Sequence, residues 1–199
     1  GDGLPCKMCG EECDDGNQAD DDGCSAVCTW EERVVFVTQK LWTGTELGGV
    51  TGADQKCNVA AEAIDELSGR KFVAWLSKDV VDPASKRIGV SLLPYVRRDK
   101  VKVADGSMQF SSGTILAPIN VNEAGDPLTA NDCLSGINRV WTGTESTGFA
   151  SVETCSVWSM NGMTGKVGNL SSTGAEWTAC MMSASCDSQG RLYCVQVAG

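Results

Sequence analysis

The spacing of apolar and polar positions along the chain changes near residue 33. Before it, "CKMCGEECDDGNQADDDGCSAVCTWEE" mixes cysteine, acid and glycine and offers almost nothing to bury. After it, "RVVFVTQKLW" is β-branched and aromatic, which predicts a strand. "GGVTGAD" reads as a turn, with Thr51 and Asp54 spaced like a capping box at a helix start. Ala53, Cys57, Ala60, Ala61, Ile64 and Leu67 then recur at helical spacing. They predict one amphipathic helix, closed by Gly69, with Cys57 on its buried face. "KFVAWLS" predicts a second strand, "DPASKR" a capped turn with a short helix, and "PYVRRDKVKVA" a hairpin turning near Asp99-Lys100. Between about 105 and 138 the periodicity fades into Gly, Asn, Pro and Ser, and short strands return at "RVWTG", "TCSVWSM" and "RLYCVQV". One helix or two beside several short strands and a long irregular region is an α+β arrangement. The change of pattern divides the chain into a module over 1–32 and a domain over 33–199.

Composition narrows the chemistry. The net charge of −10 and pI near 4.4 work against nucleic acid and against polybasic docking to membranes. No apolar run approaches the roughly 20 residues of a membrane span, which argues against membrane insertion. The opening "GDGLPC" carries no signal-peptide pattern, as expected of a secreted chain in mature form. The chain has no histidine, which removes the usual general base, the Ser-His and Cys-His nucleophile pairs and every His-containing zinc site. With no carboxylate pair of defined geometry either, the expectation is a protein that is not an enzyme. Eleven cysteines in 199 residues indicate an oxidising compartment.

Five of those cysteines, Cys6, Cys9, Cys13, Cys24 and Cys28, crowd the first module; six lie beyond it. At least one therefore lacks a partner within the chain, and the odd one is assigned to the amino-terminal group. So small a module needs cross-links or metal. The Cys6-x-x-Cys9 pair suggests zinc, but Cys24 and Cys28 are more widely spaced and seven acidic residues lie between the pairs. Disulfides fit better, with Cys13, Cys24 and Cys28 among them and their pairing open. Asp14, Asp15, Asn17, Asp20 and Asp22 supply the hard oxygen ligands calcium takes. The EF-hand register nevertheless fails, because placing Asp22-Gly23 at positions five and six puts Gln18 first and Thr29 twelfth. A solvated acidic turn, its side chains bonded to their own backbone, is the alternative to calcium.

The pentapeptide "WTGTE" occurs twice, at Trp42–Glu46 and Trp141–Glu145, each time after a strand-like run. Tryptophan favours strands, and Gly44 and Gly143 supply turn geometry. This predicts one backbone solution used at two strand exits, with Trp42 and Trp141 as core anchors rather than as a duplicated binding site.

Two resemblances follow from these residues. "ECDDGN" at Glu12–Asn17, "DGCS" at Asp22–Ser25 and Cys28 resemble a short cysteine-rich repeat of secreted and surface proteins of myxobacteria. The series "VFVT", "WTGTELGGVTGADQKCNVAA", "FVAWLS", "PYV", "APIN", "VWTG", "VGN" and "GRLYC" is similar to a bacterial extracellular domain family of uncharacterised role. That family is related in fold to the C-type lectin and endostatin group, and the similarity covers nearly all of residues 34–197. The resemblance implies a C-type-lectin-like domain with a Cys57–Cys194 and a Cys155–Cys186 disulfide, leaving Cys133 and Cys180 to clip the irregular region. Cross-links rather than an extensive core are then expected to hold the loops.

The sugar-binding loop motifs of C-type lectins, Glu-Pro-Asn or Gln-Pro-Asp with Trp-Asn-Asp, are absent. The nearest material is "NVNEAGDPLTANDC", where Asn122, Glu123, Asp126, Asn131 and Asp132 are candidate ligand or cation residues, or ordinary loop formers. Arg97, Arg98, Lys100 and Lys102 make a basic hairpin, a candidate dock for an acidic partner or a set paired with the chain's own carboxylates, with plain solvation the favoured reading. Met160, Met163, Met181 and Met182 fall in loops, where methionine suits protein contact or fills a loop core. The expected role is a secreted or cell-surface bacterial module for binding or adhesion, presenting its loops to a glycan or extracellular protein with possible help from calcium. The alternative is a structural subunit of a surface layer or fibre, self-associating through the amino-terminal module.

Overall fold

A computed structural model of the chain describes Cys13 and residues 24–130, 132–133 and 138–198. The strands are β1 (Arg33–Val37), β2 (Trp42–Thr43), β3 (Lys71–Ala74), β4 (Tyr95–Val96), β5 (Lys102–Ala104), β6 (Arg139–Trp141), β7 (Thr164–Gly165), β8 (Val167–Asn169), β9 (Ala184–Ser185), β10 (Gln189–Gly190) and β11 (Tyr193–Val197). Two right-handed α-helices accompany them among the described residues, α1 (Gly49–Glu62) and α2 (Ala84–Arg87), with short 3-10 turns between. The architecture is α+β with few helices and several small sheets.

The main sheet has the order β3-β11-β1-β4-β5. β11 is antiparallel to both β1 and β3, β4 is parallel to β1, and β5 closes the edge as an antiparallel hairpin partner of β4. Three two-stranded ladders, β2 with β10, β6 with β8 and β7 with β9, stand outside it.

The unbroken apolar run of β1 has a direct cause: both its faces are covered. Val34 and Phe36 point into a core shared with Ala53, Cys57 and Ala61 of α1, and with Leu67, Phe72 and Cys194. Val35 and Val37 point the other way, into an aromatic layer with Trp75, Tyr95, Phe110, Trp177 and Tyr193. Trp177 sits centrally there, its ring centroid 5.2 Å from Trp75 and 5.7 Å from both Phe110 and Tyr193. The core is thus larger than expected from the sequence, since Trp75, Trp141, Trp158 and Trp177 are all fully buried. Cross-links supplement this core rather than replace it.

Four disulfides join described residues: Cys13–Cys24, Cys57–Cys194, Cys133–Cys180 and Cys155–Cys186. Cys57–Cys194 and Cys155–Cys186 are the pairs the resemblance implied, and Cys133–Cys180 joins the two cysteines it left over. Cys57–Cys194 ties the buried face of α1 to β11 across 137 residues. At the amino-terminal edge, Trp30 lies under the Arg70 guanidinium, 3.6 Å from it to the ring centroid, and Glu32 pairs with Lys100.

Two local expectations are corrected. The Thr51–Asp54 capping box does not form, because α1 already begins at Gly49 with no side-chain cap. Asp54 turns to the sheet instead, accepting from the Ala74 N–H at 2.9 Å and from Arg87 at 2.6 Å. "TCSVWSM" is no strand either. Cys155, Ser156, Val157 and Trp158 all have φ between 51° and 63°, one turn of left-handed helix. The amides of Trp158 and Ser159 donate back to Thr154 and Cys155. Four non-glycine residues in that region cost roughly 1–2 kcal/mol each. Long-range contacts offset this: the Cys155–Cys186 bond and the Trp158 indole N–H, which donates to the Ser77 carbonyl at 2.8 Å.

Candidate ligand groove

Residues at and just after the link from β1 to β2, together with α1, line a groove of about 390 Å³. Its helical wall is Gly52, Gln55, Lys56, Val59 and Ala60, residues whose spacing places them on one face. Lys40, Trp42 and Glu123 complete its lining. Val59 is 66% exposed, an apolar residue facing solvent.

Trp42 is held from behind. Its carbonyl accepts the Trp141 indole N–H at 3.0 Å, so the two copies of the pentapeptide touch each other. Only 9% of Trp42 is exposed, and Lys40 and Lys56 place their ammonium groups 5.9 and 5.8 Å from its ring centroid. Lys56 also donates to the Leu47 carbonyl at 3.3 Å. Burial, then the neighbouring charge of Lys40, lowers the pKa of Lys56. Glu46 is folded back onto Thr43, accepting from its N–H at 2.7 Å and from its hydroxyl at 3.1 Å; the Thr43 backbone bond is the main reason its carboxyl pKa is lowered.

Glu123 is fixed by the Gln39 N–H at 2.8 Å. Burial raises its pKa, opposed by that backbone bond and by the charge of Arg191. Arg191 is itself buried and donates to the carbonyls of Thr38 and Gln39 and to Asn138 Oδ1. The groove therefore carries a carboxylate that is already partly compensated.

The candidate residues of the irregular region separate. Asn122 is buried and closes its own turn, its Oδ1 accepting from the N–H groups of Ala124 and Asp126 while its side-chain amide donates to Asp126. Asp126 belongs to the same turn, and Asp132 is exposed. Glu123 alone of the described candidates lines the groove. Asn131 lies outside the described residues, as do the calcium candidates Asp14, Asp15, Asn17, Asp20 and Asp22. Among the described residues no group of three or more Cys, Asp or Glu could hold a metal ion. Likewise, no helix among them is long and apolar enough to cross a membrane.

The basic hairpin is spoken for. Arg97 pairs with Asp99 at 2.7 Å, Arg98 with Glu66 at 3.3 Å, Lys100 with Glu32, and Lys102 with Asp105 at 2.7 Å. By contrast Met181 and Met182 are strongly exposed. Sequence reasoning missed Lys40, Gln55, Lys56 and Val59 because their only signal was an apolar valine on the polar side of an otherwise well-read helix.

No family model matches the chain, and no curated protein matches it either.

Proposed function

We propose that the chain is a secreted or cell-surface module for binding or adhesion, presenting the groove beside Trp42 to a glycan or an extracellular protein. The observation that carries this reading is the groove itself. It is concave, partly apolar, and walled by a disulfide-tied helix and a strand exit, with a few polar groups converging on it, which is the usual composition of a ligand site. The disulfides favour an oxidising, extracellular setting. A C-type-lectin-like fold preceded by a myxobacterial-type repeat, on a bacterial surface, belongs to the same proposal, as does a calcium ion stiffening Asp14–Asp22. No catalysis is assigned.

Val59→Trp places an indole in the groove from an exposed helix position. On an array of glycans and peptides the native chain should bind a subset, and the variant, with unchanged thermal stability, should lose that binding. Equal binding by the variant would remove the groove from the reading. A second reading, a structural subunit of a layer or fibre, draws on the exposed Val80, Val81, Phe149, Val152, Met181 and Met182. Sedimentation at rising concentration, with calcium and with chelator, would show ordered assembly if that reading holds.

A further inference from the structure

Building on the binding role just proposed, we infer that the groove takes an acidic saccharide, with the carboxylate of a uronic acid residue seated between Lys40 and Lys56. A protein of net charge −10 has here brought two ammonium groups to the same indole, each within 6 Å of its centroid. Neither makes an ion pair among the described residues. The charge of Glu46 acts on both, but its carboxylate is hydrogen-bonded to Thr43. Burial and then the Lys40 charge lower the pKa of Lys56, opposed by Glu46, and an entering anion would relieve both.

A carboxylate in the same groove selects against a densely charged ligand. Glu123 would repel a sulfated chain or an acidic peptide. It is already compensated by Arg191 and the Gln39 N–H, so it does not call for a ligand cation. What it and Gln55 can still do is hydrogen-bond hydroxyl groups. Val59, Ala60 and Trp42 line the same groove, an apolar surface suited to the C–H face of a pyranose ring. One carboxylate, one apolar face and hydroxyls describe a uronic acid residue.

Trigalacturonate and its methyl ester have the same rings and differ in charge, so titration calorimetry of the full chain with each isolates the carboxylate. Trigalacturonate is expected to bind, with the ester at least roughly tenfold weaker, the loss expected when one charge-assisted contact is removed. The double variant Lys40→Met with Lys56→Met, which keeps the aliphatic stems, should weaken trigalacturonate by a similar factor and leave the ester unchanged. Equal binding of acid and ester, both abolished by Val59→Trp, would overturn the acidic specificity while leaving the groove as a sugar site. Binding of neither would overturn the saccharide inference, and the array result then decides the binding role separately.

Discussion

At the scale of single residues, the repeated pentapeptide shows what a sequence match hides. Gly44 has φ −55° and ψ −34° and precedes a 3-10 turn, whereas Gly143 has φ +55°. The same letters fold with opposite backbone hand, so the expectation of one backbone solution used twice is wrong. What the copies share is crowding. A Cβ on Gly44 would lie 2.6 Å from the Cys155 sulfur, and one on Gly143 would lie 2.6 Å from the Trp158 ring. Gly44→Ala should therefore destabilise by about 1–3 kcal/mol through overpacking alone. Gly143→Ala should cost about 1–2 kcal/mol more, because alanine also resists the left-handed region. Urea unfolding of both variants checks the order, and a smaller loss at Gly143 would contradict the assigned φ. The expectation of Trp42 and Trp141 as core anchors fits their burial, yet Trp42 also edges the groove, and no residue-type rule distinguishes an anchor with one edge left open.

At the scale of elements, legibility followed the range of the forces involved. The buried stripe Ala53, Cys57 and Ala61 and the apolar run of β1 were readable because their periodicity is local, although α1 ends at Glu62, before the expected close at Gly69, and Ile64 and Leu67 lie beyond it. The left-handed turn at Cys155–Trp158 was not, because β-branched and aromatic residues suggest a strand and only distant partners impose the other shape. The neighbouring ladder of β7 and β9 is pinned in a similar long-range way by Glu153, which accepts from Ser183 and from Thr164 at 3.2 Å and pairs with Lys166 at 3.5 Å. The Ser183 bond is the main reason its carboxyl pKa lies below the ordinary 4.5, with the Lys166 charge second. A depressed carboxyl pKa stabilises the fold above the ordinary value, and the contribution fades as pH falls through the lowered one. Glu153→Gln should accordingly be less stable than the native chain at neutral pH, by under about 1 kcal/mol because the site is partly exposed. The two should converge in strong acid. Thermal melts across that range would refute the assignment if the difference were independent of pH.

At the scale of the whole molecule, the expectation that sulfur replaces a core gives way to a sheet buried on both faces and cross-linked as well. Closing the 137-residue span between Cys57 and Cys194 adds at most about 5 kcal/mol on the chain-entropy account. The double variant Cys57→Ala with Cys194→Ala should therefore melt at a clearly lower temperature but still cooperatively, as followed by calorimetry. A broad, non-cooperative transition would mean that the bond, not the aromatic layer, holds the domain together. The long irregular region escaped the reading because its order comes from isolated bridges such as Val37 to Asn122, which leave no repeating pattern. The antiparallel pairing of β1 with β11 sets Val35 against Val195, so these two strands enter and leave side by side at one end of the sheet. A tether tugging on both flanks would unzip that pair rung by rung instead of shearing it. It would then stop at the Cys57–Cys194 staple, leaving the loop behind it slack and out of the line of tension, while the first half of the groove's helix, ahead of Cys57, carries the load.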